Sequence, residues 1–227
     1  MAEQQLNGIK LLISGLSNTG KTTLLKDAED TLVVAHDGKQ FPFPIPHVHI
    51  PQFENVEELC GIITEKIETY EAKFKKPPKA VAFDSISRIL LTIEKNVLER
   101  VKNYPYGEVN KEIAYLTDFI EWLISQGISV IMISHAIYNK DTVAYELVNA
   151  GGQFGKKGGM LSEVDNASFI EIKGKKRIIH HRHPKLAARS LLDSEVLPDE
   201  QPIEDYSLQK HMELLYDNIQ AVDEWEL

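Results

Sequence analysis

Gly15-Leu16-Ser17-Asn18-Thr19-Gly20-Lys21-Thr22 decides how this chain is read. The stretch meets the pattern G-x-x-x-x-G-K-[ST] at every fixed position. The glycines let the backbone curl until successive N–H groups converge on one anion. A helix beginning there adds the partial positive charge of its N-terminus. In such a loop the lysine reaches the β- and γ-phosphates and the hydroxyl of the last residue holds Mg²⁺. The assignment is therefore Gly15, Ser17, Asn18, Thr19, Gly20, Lys21, Thr22 and Thr23 around a triphosphate, with Lys21 a solvent-facing point charge. The flanks agree. Ile9-Lys10-Leu11-Leu12-Ile13-Ser14 is an apolar run that reads as a buried parallel strand. Residues 22–28 read as a helix.

A second apolar run, Ala80-Val81-Ala82-Phe83, ends in Asp84. This is the Walker B arrangement, and ligands of open α/β sheets collect at the carboxyl ends of the strands. Asp84 then binds Mg²⁺ opposite Thr22; the competing reading is an N-cap for the next helix. Residues 129–134 form another buried strand, which His135 closes at the same sheet edge. His135 reads as a contact to the γ-phosphate or as a histidine bonded to local backbone. Asp37 follows the strand 31–35. It either orients the attacking water or is an ordinary turn residue before Gly38.

The rest of the chain alternates in the same way. Four prolines make residues 41–51 an extended surface segment with a short strand near 48–50. Asn55 caps a helix to residue 74, and the prolines at 77 and 78 end it. Further helices are expected over 85–101 and 111–125, the latter closed by Gly127. Residues 102–110 and 150–159 read as loops, and 143–148 as an exposed strand. A hairpin turns at Gly174-Lys175, and an acidic amphipathic helix spans 207–220. Buried strands alternating with helices mean an α/β fold, a largely parallel sheet with an antiparallel hairpin at one edge. Residues 1–190 form the nucleotide-binding core, and 191–227 an acidic tail carrying a helix.

Of 227 residues, 43% are hydrophobic and 26% charged, ordinary for a globular domain. No apolar run approaches the roughly 20 residues of a membrane span, and no secretory leader is visible. Cys60 is the single cysteine, so no intramolecular disulfide forms. These features fit a cytoplasmic setting. The net charge of −9 argues against generic nucleic-acid binding. It hides a basic strip over 173–189 and the acidic tail after it.

Taken together, the loop 15–22, Val81-Ala82-Phe83-Asp84-Ser85, Ile131-Met132-Ile133-Ser134-His135 and the glycine-rich segment before the final strands resemble the RecA-like P-loop NTPase core. The likeness is greatest to small bacteriophage ATP-binding proteins of the single-strand annealing type. It covers roughly residues 9–181 in element order. The resemblance implies ATP and Mg²⁺ as cofactors and His135 as the γ-phosphate sensor. Asp37 stands where the family usually has Glu, so hydrolysis is expected to be slow. It also implies two DNA loops, at 102–110 and 139–163. There Tyr104, Tyr106 and Phe154 would stack on bases, and Lys156 and Lys157 would neutralise phosphates. Lys173 and Lys175 would reach a neighbouring subunit's nucleotide in a homo-oligomer.

His180-His181-Arg182-His183 lacks the companions of a tetrahedral metal set and reads as surface or DNA-contact histidines. The leading expectation is an ATP-dependent single-stranded-DNA-binding ATPase of phage recombination or annealing, acting in the host cytoplasm. Two alternatives stay open. One is a small-molecule or nucleotide kinase. The other is a non-catalytic ATP-dependent loader that meets a single-strand-binding or replication protein through the acidic helix.

Overall fold

Four parallel strands carry the apolar runs: β1 (Lys10–Gly15), β2 (Thr31–Ala35), β4 (Ala80–Asp84) and β5 (Ser129–Asn139). In the computed structural model, which describes residues 7–38 and 40–223 (side chains of 219–223 excepted), they form the middle of a sheet. Its order is β3-β2-β4-β5-β1-β7-β8-β9, with β6 (Ala144–Leu147) paired to β5. The short β3 (His47–His49) forms one edge, inside the proline-rich segment. At the other side β7 (Asn166–Lys173) runs parallel to β1, and β8 (Lys176–His180) and β9 (Glu200–Pro202) add antiparallel. This is the expected α/β fold, a mostly parallel sheet flanked by helices with antiparallel strands at one edge.

Side chains alternate across a strand, so each buried run feeds two cores. Leu12, Val34, Phe83 and Met132 point to one face. There they meet α2 (Val56–Phe74), α3 (Ile86–Arg100) and α4 (Pro105–Ser125). Asn55 caps α2 as expected, its Oδ1 accepting from the Glu58 N–H at 2.9 Å. Gly127, just past α4, takes the left-handed conformation (φ 75°) that a helix stop favours. Leu11, Ile13, Val33, Ala82 and Ile133 point to the opposite face.

That second face is covered by chain read from the sequence as an acidic tail. Leu192, Leu197, Ile203, Tyr206, Leu208 and Leu215 join its core, the last two from α6 (Leu208–Asp223). β9 extends the sheet from the same segment. Charge composition concealed this, because the apolar residues stand singly among the acids.

Three other expectations are corrected. The loop 102–110 is mostly helix: α4 starts at Pro105, where a proline costs nothing because the first helical N–H has no intrahelical partner. β5 does not end at His135 but runs on to Asn139 and pairs with β6. The glycine- and lysine-rich stretch holds a short helix, α5 (Gly152–Lys156), followed by a 3₁₀ turn at Gly159–Leu161. No helix among the described residues is long and apolar enough to cross a membrane.

Candidate nucleotide site

Register brings the sequence motifs to one sheet edge. Gly15 pairs with His135 across β1 and β5, and Asp84 pairs with Ile133 and with Ala35. Beyond these strand ends lies a cavity of about 430 Å³. Ser17, Asn18, Gly20, Lys21, Thr22, Thr23, Asp37, Asp84, His135 and Arg177 line it. A shallower groove of about 730 Å³ adjoins it, lined by Phe43, His47, His49 and Phe74. Gln40 and Phe41 border both.

Two glycines shape the loop. At Gly15 a Cβ would sit 2.6 Å from the Ile170 carbonyl oxygen, so β7 packs directly on the loop's first residue. Gly20 has φ 94° and opens α1 (Lys21–Leu24), a conformation that a side chain resists. The expected helix over 22–28 is only this single turn followed by a 3₁₀ turn at Leu25–Asp27. Its dipole is correspondingly small, and the anion cradle rests on the loop N–H groups and Lys21. Thr19 is buried and turned inward, its hydroxyl donating to the Leu16 carbonyl at 3.0 Å.

Lys21 is not the solvent-facing charge that its place in the motif implied. It is 5% exposed, and its ammonium donates to the carbonyls of Gly15 (2.9 Å) and Leu16 (2.6 Å). Receiving a triphosphate therefore means exchanging backbone acceptors for phosphate oxygens.

Thr22 and Asp84 meet. The threonine hydroxyl donates to Asp84 Oδ2 at 2.7 Å, and Asp84 is buried. Asp84 is not a helix cap: Ser85 occupies the N-cap of α3, and no side-chain bond caps that helix. A hydroxyl and a carboxylate oxygen suit Mg²⁺, which takes few protein ligands and fills its shell with water and phosphate oxygens. No group of three or more His, Cys, Asp or Glu that could hold a metal occurs among the described residues.

Asp37 faces the same cavity from the end of β2. Its neighbour His36 fixes that end: Nδ1 lies 2.5 Å from the Ile50 carbonyl oxygen and Nε2 2.7 Å from Thr92 Oγ1. Burial pushes the His36 pKa below its usual value, which favours the neutral ring. The His135 N–H donates to Ser87 Oγ at 3.1 Å, tying β5 to the start of α3.

The DNA assignments fare differently. Tyr104 is 94% exposed, and Lys156 and Lys157 are exposed. Tyr106 packs beside Gly151 and Gly152, so the two segments expected to bind DNA lie against each other. Phe154 is partly buried against the main core, which corrects its reading as a free stacking residue. Lys173 lies 3.5 Å from Glu171 and 3.4 Å from Glu200, and Lys175 is exposed at the hairpin turn.

The histidines at 180 and 181 are not on the surface. Both are essentially inaccessible. His180 lies between Glu171 (3.0 Å) and Glu200 (3.1 Å). His181 Nδ1 bonds to Ser168 Oγ at 2.8 Å. Arg177 is the site residue that sequence reasoning missed. It stood in a run of basic residues, and only the fold separates it from the others.

A phosphate loop, a hydroxyl–carboxylate pair and a polar strand end around one cavity define a P-loop ATPase. The chain belongs to the AAA-domain family, whose sequence profile matches residues 7–190. Among solved structures it is similar to a KaiC-like protein of the hyperthermophilic archaeon Pyrococcus horikoshii OT3. The two are 14% identical with a TM-score of 0.49, over 86% of this chain and 85% of that one. No curated protein sequence matches.

Proposed function

We propose that this ATPase uses Mg·ATP to control its grip on single-stranded DNA, in recombination or annealing. Lys21 and the loop N–H groups hold the phosphates, and Thr22 and Asp84 hold Mg²⁺. Asp37 orients the attacking water and His135 contacts the γ-phosphate. DNA lies over the joint surface of Tyr104, Lys156 and Lys157, where one aromatic face and two cations suit a flexible single strand.

One observation carries the coupling. The Val148 N–H donates to the His135 carbonyl at 2.8 Å, at the cavity end of the β5–β6 hairpin. Two residues further, Ala150 packs in the main core, and Asn149 Oδ1 accepts from the Met160 N–H at 3.2 Å. That bond closes the segment bearing α5 and its lysines. A shift of His135 toward a γ-phosphate therefore pulls on the base of the DNA-facing segment.

The test is single-stranded-DNA binding and ATP turnover for wild type and Lys21→Ala. Wild type binds DNA more tightly with Mg·ATP than with Mg·ADP, and DNA changes its turnover. Lys21→Ala loses both responses. Equal DNA affinity in the two nucleotide states refutes the coupling.

A further inference from the structure

We propose that Arg177 binds the nucleotide in cis, clamping phosphates held by the loop of its own chain. The inference rests on the ATP site described above and adds a residue to it.

Arg177 is two residues before Ile179, a core residue of β8, so both side chains leave the sheet on the same face. That is the face on which α1 and the 3₁₀ turn after it pack, through Leu24 and Leu25. From there the guanidinium reaches over the phosphate loop. A Cβ at Gly20 would lie only 2.8 Å from Arg177 Nη1, so the missing side chain at position 20 leaves the space that Arg177 fills. Arg177 also borders the same cavity as Lys21, Thr22 and Asp84.

The chain has 34 acidic side chains against 25 lysines and arginines, and carboxylates engage two of the cations near Arg177. Lys173 sits with Glu171 and Glu200, and Arg182 bonds to Asp199. No hydrogen bond or ion pair among the described residues holds the Arg177 guanidinium. Its planar fork of donors matches phosphate oxygens, and at this cavity it faces the place where they would arrive.

The basic residues expected to serve a neighbouring subunit were Lys173 and Lys175. Lys173 is engaged by two glutamates of its own chain. Arg177 lies on the same hairpin but turns toward its own loop, so one chain supplies both the loop and the cation above it.

Calorimetry with Mg·ATP and Mg·ADP separates the possibilities, using wild type, Arg177→Ala, Arg177→Gln and Arg177→Lys. Removing a charge-assisted contact should weaken Mg·ATP binding by about tenfold to a hundredfold in the Ala and Gln variants. Lys should restore part of the loss. Melting temperatures without nucleotide should match wild type, because no protein partner is lost. Excess Lys21→Ala chain, with Arg177 intact but its loop disabled, should not restore binding to Arg177→Ala. Binding by Arg177→Ala and Arg177→Gln within twofold of wild type overturns the proposal. So does rescue by the Lys21→Ala chain, which would place the arginine in trans. Wild type failing to bind Mg·ATP overturns the ATP site itself.

Discussion

Lowering the pH from 7 to 4 should unfold this protein through two buried histidines, one of which a sequence reading places on the surface. His181 is 0% and His211 2% exposed. Gln201 Nε2 donates to His181 Nε2 at 3.1 Å, so His181 Nδ1–H donates to Ser168 Oγ, and the ring is neutral. His211 Nδ1 lies 2.9 Å from the Tyr206 hydroxyl, and the two histidine rings meet edge to face at 5.0 Å. Burial holds the His181 pKa at about 3 and the His211 pKa at about 4.

Unfolded, both histidines titrate near 6.5. Between that value and the folded pKa values the unfolded chain binds protons that the folded chain refuses. The neutral rings' contribution is therefore complete above about pH 6.5 and lost as the pH falls toward 4 and below. Each group contributes a slope of about 1.4 kcal/mol per pH unit, so the pair gives about 2.7. Over the 2.5 units down to pH 4 this is about 7 kcal/mol, comparable to the whole stability of a typical domain.

Urea unfolding at half-unit pH steps measures the slope directly. His211→Phe should reduce it by about 1.4 kcal/mol per unit. Imidazole NMR shifts should show two rings still neutral at pH 5. A wild-type urea midpoint that stays flat from pH 6.5 to 4.5, or two buried rings titrating near 6.5, would refute the reasoning.

Other outcomes test the ATP and DNA surfaces. Thr22→Val and Asp84→Asn should each weaken Mg·ATP binding and together do little more, since both act on one ion. In the nucleotide-free protein a double-mutant cycle should give a coupling of about 1–2 kcal/mol from their 2.7 Å bond, and additivity would count against the shared site. Asp37→Asn should abolish turnover in an ATPase assay while calorimetry still finds Mg·ATP bound; unchanged turnover removes Asp37 from the chemistry. Tyr104→Ala should leave the melting temperature unchanged and cost about 1–3 kcal/mol of single-stranded-DNA affinity. Phe154→Ala should instead lower the melting temperature, because Phe154 packs against the core.

What the sequence disclosed and what it hid follow from the range of the interactions involved. The phosphate loop, the strand ending at Asp84 and the Asn55 cap are local devices, with backbone geometry and chemistry set within a few residues. They were legible as written. The Thr22–Asp84 bond spans 62 residues, yet it too was legible, because parallel strands bring their carboxyl ends to one edge. The failures arise where composition was read without a partner. A histidine run looks exposed until β7, β9 and α6 supply Ser168, Gln201 and a neighbouring His211. A glycine- and lysine-rich stretch looks like a loop until Phe154 finds the core and Asn149 closes its base. An acidic terminus looks soluble until its scattered leucines meet Ile9, Leu11 and Ile13. Arg177 is the sharpest case: among seven basic residues between 173 and 189, periodicity alone could not favour it. What distinguishes it is a glycine 157 positions earlier whose missing side chain leaves room for a guanidinium. The place of Arg177 above Gly20 is therefore a property of strands and a turn packed together.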